Sequence, residues 1–251
     1  MSVLKVLLLG FLLSLNVTAQ EVTTKWANES EAGLTSTQSA QSAALDTNLY
    51  FGKHKSTVEK GSNTFSAMGN YFYGKQGNEL NARSWMAGFK WDKAYNANLK
   101  AFLAETVEGN RFMGYTLRSN TDIGAKYFFL TQEDPKDLDY LFSELGYRLS
   151  YEDLTNNLTG ANSTSNQGRT YVEYSKAWTT TFSTKLWAEY IKTFSNDNRD
   201  MINSEVSALT KMSDLLSMKA SYLVRYDDTL KDKNFERNTT TMLMVALIAN
   251  Y

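Results

Sequence analysis

A chain of 251 residues with 42% apolar content and a mean hydropathy of −0.42 is short of material for a thick soluble core. Lys and Arg number 26 against 27 Asp and Glu, which excludes recruitment of nucleic acid or anionic lipid by a global field. The lack of cysteine removes thiolate chemistry, Cys-based zinc sites and disulfides together, and a single proline with fourteen glycines argues against disorder.

The first segment, "MSVLKVLLLGFLLSLNVTA", carries one Lys, an apolar run from Val6 to Leu15 and small residues ahead of Ala19. That pattern predicts a secretory signal over residues 1–19, since the run is shorter than the roughly 20 apolar residues of a spanning helix. An exported chain of this length without disulfides fits a bacterial envelope better than an extracellular eukaryotic setting. Residues 20–251 show no linker and no shift of composition, so one domain is expected.

Beyond the signal, one texture recurs to the end. Segments alternate apolar and polar residues with period two, which is the signature of strands with two different faces. A weak first strand near Trp26 to Leu34 is followed by the stripes Leu45, Thr47, Leu49, Phe51 and Phe65, Ala67, Gly69, Tyr71, Tyr73. Trp85, Ala87, Phe89, Trp91 come next, then Leu99, Ala101, Leu103, and then the run of odd positions from Leu117 to Phe129. The clearest stripe is Leu141, Ser143, Leu145, Tyr147, Leu149, Tyr151. Val172 with Tyr174, Leu186 with Tyr190, and Val206 with Ala208 are shorter. Even positions from Met218 to Tyr226 and odd positions from Thr239 to Tyr251 complete the set. The gaps are rich in turn residues, as in "GKQGNELN", "YNAN" and "SNDN", and the longest, "TNNLTGANSTSNQG", reads as a loop. Pro135 falls in the gap "TQEDPKDLD", where a missing N–H costs no ladder hydrogen bond.

A soluble β-sandwich also alternates, but three features favour a membrane. Aromatics sit at the ends of the apolar stripes (Trp85 and Trp91, Tyr147 and Tyr151, Tyr222 and Tyr226) as they do in the girdles around a bilayer band. The opposite stripes carry charges that a dry core would bury at several kcal/mol each unless paired, whereas a wet lumen avoids most of that cost. Only a closed barrel leaves no unpaired strand edge in lipid. The prediction is therefore an all-β, closed antiparallel transmembrane barrel of about twelve strands, with ten as the fallback. An even count puts both termini in the periplasm and the "TNNLTGANSTSNQG" loop outside. The terminal stripe "TTTMLMVALIANY" is then the strand that closes the barrel against the first, with outer-membrane lipids on its apolar face.

The lumen is where function is expected. Inward positions give the carboxylates Glu29, Glu31, Asp46, Asp122, Glu144, Glu173, Glu189 and Glu205. The cations are Lys90, Lys100, Arg118, Lys126, Arg148, Lys185, Lys219 and Arg225. A selective pore usually shows one sign in excess at its constriction. An even balance suits a weakly selective channel for small polar solutes or ions, or a structural barrel closed by pairs such as Glu144–Arg148. In a wet lumen Glu144→Gln is expected to cost little, and no apolar plug segment is evident. An envelope enzyme is the most distant reading. The one histidine, His54 in "GKHKSTVEK", is expected in a periplasmic turn with Ser56 close by and no orienting acid, so no catalytic residue is assigned. No spacing displays converging oxygens for a hard cation, and neither metal nor cofactor is expected.

Three stretches carry a resemblance to a known family. They are "SEAGLTSTQSAQSAALDTNLYF", "LKAFLAETVEGNRFMGYTLRSNTDIGAKYFF", and "LSMKASYLVRYDD" leading to "NTTTMLMVALIANY". They resemble the opening, central and closing hairpins of the YdiY-like outer-membrane family, described as salt-induced and catalogued as domain of unknown function 481. In the first, Gln38-Ser39-Ala40 replaces the family's Gly-Asn-Thr turn. The resemblance implies a bacterial outer-membrane barrel and brings no established activity or functional residue. The terminal Tyr251 resembles the aromatic end of the C-terminal signal that outer-membrane assembly machinery reads, with Tyr in place of the commoner Phe.

Overall fold

The period-two segments pair into ladders because the chain offers few other partners for their backbone groups. A strand whose two faces differ settles only where one face is covered and its N–H and C=O groups are bonded to neighbours. The computed structural model describes residues 24–38, 47–76, 79–110, 115–130, 139–154, 163–194, 199–228 and 238–251. The signal segment, Asp46, Pro135 and Asn162 lie outside these residues.

Twelve strands run in chain order: β1 Thr24–Gln38, β2 Thr47–Lys60, β3 Asn63–Gln76, β4 Glu79–Ala94, β5 Leu99–Asn110, β6 Tyr115–Leu130, β7 Tyr140–Leu154, β8 Ser163–Ala177, β9 Phe182–Thr193, β10 Asp200–Lys211, β11 Leu216–Asp227 and β12 Thr239–Asn250. Each pairs antiparallel with its sequence neighbour, and β12 returns to β1, so the sheet is a closed barrel. The closing register sets Glu29 opposite Asn250 and Leu34 opposite Val245. Just past the ladder, Asn28 N–H donates to the Tyr251 carbonyl at 2.8 Å and Tyr251 N–H to the Asn28 carbonyl at 3.0 Å. At this seam a Cβ on Gly33 would lie 2.1 Å from the Val245 carbonyl oxygen, so only glycine lets β1 approach β12 so closely.

Short turns gather at the rim where β1 starts and β12 ends. Gly61 reverses the chain between β2 and β3 with φ 58°, a left-handed value that favours glycine. Asn96 Oδ1 accepts the Asn98 and Leu99 N–H groups between β4 and β5. Thr179 Oγ1 does the same for Thr181 and Phe182 between β8 and β9.

The faces segregate by parity. Leu145, Leu149, Val206, Leu243, Val245 and Leu247 point outward and stay exposed, Leu145 to 68%. Inward positions mix polar and charged residues with buried apolar ones such as Phe102, Phe142 and Ile191. Leu49, Phe51, Phe72, Leu223, Met244 and Ala246 form a buried apolar cluster inside the lumen, with Trp187 and Met242 packed on it. This corrects two expectations. Leu49 and Phe51 face inward, not toward lipid, and Tyr50 at 68% exposure takes the outer position. The barrel is also partly filled by apolar side chains of its own wall. β8 begins at Ser163, so the second half of the expected long loop is strand. His54 likewise lies within β2 and not in a turn.

A lipid-facing wall makes a direct prediction. Leu145→Arg is expected to lower stability by about 2–4 kcal/mol at mid-bilayer depth, and a change at an exposed turn position such as Thr180→Ala by far less. Denaturant unfolding of the refolded protein in lipid vesicles measures both.

Candidate functional site

Because inward residues alternate along every strand, the same arithmetic that exposes the leucines sends charged side chains into a shared interior. Among the described residues four interior ion-pair networks result.

The largest centres on Glu144 of β7, whose side chain is 2% exposed. It takes Lys90 from β4, Lys126 from β6 at 3.2 Å and Arg169 from β8 at 2.8 Å. Arg169 also donates to Glu189 of β9 at 2.6 Å. Arg148 donates through two nitrogens to Asp122 at 2.7 and 2.9 Å and lies 3.5 Å from Glu189. Lys90 is 3.9 Å from Asp92, and Asn203 of β10 donates to Glu189 at 2.8 Å. The network thus spans β4 to β10, and the Lys90–Glu144 contact bridges over the two intervening strands.

A second group lies toward the rim opposite the short turns. Arg118 pairs with Glu152 at 2.7 Å and Glu108 at 3.2 Å, while Arg199 joins Glu152 at 3.1 Å and also binds Asp227. In the third, Glu31 sits 3.5 Å from both Lys53 and Lys219, and Lys219 reaches Glu205 at 2.9 Å. The fourth joins Lys185 to Glu173 at 3.2 Å, with the Tyr140 hydroxyl donating to the same carboxylate. At the rim, ahead of β7, Asp139 accepts the Ala177 N–H and Lys176, which together hold its carboxyl below the ordinary carboxylate range.

These walls enclose a cavity of about 600 Å³. Its lining runs from Thr57, Thr64 and Asp92 near the short turns to Glu108, Arg118, Arg199 and Asp227 near the opposite rim. An aromatic ladder follows one wall, with Phe142 stacked 5.9 Å from Tyr171 and Tyr171 stacked 5.9 Å from Trp187. Their faces are taken by one another and by cations, Lys126 standing 4.1 Å over Phe142 and Arg169 5.1 Å over Tyr171.

Of the residues expected in the lumen, Glu31, Lys90, Arg118, Asp122, Lys126, Glu144, Arg148, Glu173, Lys185, Glu189, Glu205 and Lys219 all join the networks. Lys100 and Arg225 line the cavity outside any ion pair, Glu29 is exposed, and Asp46 lies outside the described residues. The expected pair Glu144–Arg148 does not form. Two places apart on the same face of β7, each side chain instead reaches across to neighbouring strands. Sequence reasoning missed Lys53, Asp92, Glu108, Glu152, Arg169, Arg199 and Asp227. Arg169 was hidden because the early part of β8 is polar on both faces and carries no apolar stripe.

His54 is outward on β2. Its Nδ1 is 2.9 Å from Ser30 Oγ and its Nε2 3.0 Å from Ser56 Oγ, while Ser56 donates to Asn28 Oδ1 at 2.7 Å. These contacts include no carboxylate to orient the imidazole.

The architecture defines a closed twelve-stranded antiparallel barrel of the outer-membrane kind, with a charged interior. The chain belongs to the family described as "Protein of unknown function, DUF481", whose model matches residues 30–249. No curated relative matches the sequence. Among solved structures, the chain is similar to the NanC porin, with a TM-score of 0.56 and 9% identity over 87% of this chain and 98% of that one. It is also similar to the KdgM porin, with a TM-score of 0.50 and 9% identity over 88% of this chain and 98% of that one. At such identity the likeness is one of fold.

The three cations on Glu144 revise the expectation that its neutralisation is cheap. Glu144→Gln leaves Lys90, Lys126 and Arg169 competing for one neutral oxygen, with an expected loss of about 2–3 kcal/mol. A thermodynamic cycle with Lys90→Met checks this, the double variant losing less than the sum of the singles.

Proposed function

We propose that this protein is a bacterial outer-membrane channel, a passive route of modest selectivity for small polar solutes or ions. One observation carries the reading: a cavity extends along the lumen, with charged side chains among its lining from near one rim to near the other. A lining of this kind holds water, and a hydrated path bounded by fixed charge conducts ions. The volume falls in the range of small-molecule sites, roughly 300–1,000 Å³. Likeness of fold to two porins supports the same reading.

In this account residues 1–19 direct export, and the final strand ending at Tyr251 engages the outer-membrane assembly machinery. The outward leucines and valines then meet outer-membrane lipids.

A structural barrel with a closed lumen is the second reading. It is favoured by the contacts that bridge non-adjacent strands, Lys90–Glu144 and Arg199–Glu152, and by the apolar cluster around Phe51 and Phe72. An envelope hydrolase built on His54 ranks third, because its contacts supply no acid.

Reconstitution in a planar bilayer tests the proposal. Steady, voltage-independent openings in KCl are expected from the purified protein. A bilayer that stays silent, including after Glu144→Gln and Arg148→Gln loosen the central network, contradicts the channel and leaves the structural barrel ahead.

A further inference from the structure

The even count of lumen charges conceals an uneven distribution. Near the rim of the short turns, three ammonium groups converge on one wall. Lys90 and Lys126 both bind the same oxygen of Glu144, Oε1, so their Nζ atoms are close neighbours. Lys100 stands directly opposite Lys126 across the β5–β6 ladder, and both reach over the Phe128 ring, at 5.3 and 5.6 Å. Like charges directly opposite in a ladder repel. Lys126 is relieved by Glu144, but the other ladder neighbour of Lys100 is Ala94. Among the described residues no carboxylate lies within ion-pair distance of Lys100. All three lysines line the cavity.

The remaining lumen charges come close to cancelling. The Arg118 group sets three carboxylates against two guanidiniums, and the unpaired Arg225 lies near it, acting on Tyr115 together with Arg118 and Glu152. Lys55 has Glu29 opposite it in the β1–β2 ladder. The surplus of positive charge is therefore the one ammonium of Lys100, set beside the paired Lys126 and Lys90.

We infer that Lys100, Lys126 and Lys90 form an oxyanion-binding site in the lumen, taking a carboxylate or phosphate group, and that this site gives the channel a preference for anions. Lys100 supplies the free ammonium. Lys126 and Lys90 keep donors to spare, since an ammonium has three N–H groups and each spends one on Glu144. The Phe128 and Phe142 rings exclude water from one side, which strengthens the attraction. Glu144 holds Lys90 and Lys126 in place; with Asp92 beside Lys90, the central network sets four cations against four carboxylates, so the net charge of the site is that of Lys100.

The inference rests on the channel reading, and its test separates the two. Wild-type protein in a planar bilayer under a KCl gradient is expected to reverse toward the chloride equilibrium potential. Inorganic phosphate added to the bath is expected to block current, and so is acetate at higher concentration. Lys100→Gln is expected to raise the half-blocking phosphate concentration about tenfold, the effect of about 1.4 kcal/mol. Lys100→Glu is expected to move the reversal potential to the cation side. Both substitutions change a position without an ion pair, and a heat-modifiable band on unheated gels checks their folding. Openings that reverse at zero or toward potassium, or phosphate block equal in wild type and Lys100→Gln, overturn the site while leaving the channel. A silent bilayer overturns both.

Discussion

The structure depends on closure of the sheet by backbone hydrogen bonds between β1 and β12. In hydrocarbon each unpaired N–H or C=O costs several kcal/mol, and an open edge would leave a whole row of them. The register from Glu29–Asn250 to Gln38–Thr241, extended by the Asn28–Tyr251 pair, removes that edge. Gly33 is part of the same requirement, because any side chain there would collide with the Val245 carbonyl. Once the cylinder is closed, alternation along each strand has one consequence. Every second residue belongs to the outside and the rest must share a confined interior.

What fills that interior follows from electrostatics as much as from volume. Carboxylates as enclosed as Glu144 or Asp122 cannot stay charged without partners, and the partners come mainly from other strands. Cross-strand pairing ties each network across several strands and braces the wall around the cavity. The apolar cluster of Phe51, Phe72 and Met244 lies on the wall formed by β2, β3 and β12, so side chains pack part of the interior. In the proposed channel, fixed charges on this wall would set an ion's path, and Lys100 near Phe128 is where that path would acquire a sign.

The outside of this barrel was legible in the sequence because lipid tolerates only apolar residues there, and repetition makes them conspicuous. Stripes such as Leu141 to Tyr151 or Leu243 to Leu247 can be read with no knowledge of neighbours. β2 failed because both its faces carry large apolar groups at one end: Leu49 and Phe51 on one, Tyr50 on the other. Which of them meets lipid is fixed by ladder pairing with β1 and β3, a long-range property. β8 failed for the opposite reason, with Ser163 to Thr170 polar on both faces and Arg169 unmarked. The inward charges were mostly visible as residues, but their partners were not. Glu144 with Lys90 joins positions 54 apart in the chain, and no local rule pairs them.

Closure in the stated register is open to one direct measurement, made clean by the absence of native cysteine. Ser30 and Ala249 are register partners on the outward face of the seam. The double variant Ser30→Cys with Ala249→Cys is expected to oxidise to an intramolecular disulfide in folded protein, read as a shift on non-reducing gels. Ser30→Cys with Val245→Cys, two outward positions further along β12, is expected not to link. A link formed equally by both pairs, by neither, or only between two copies would contradict the closed seam.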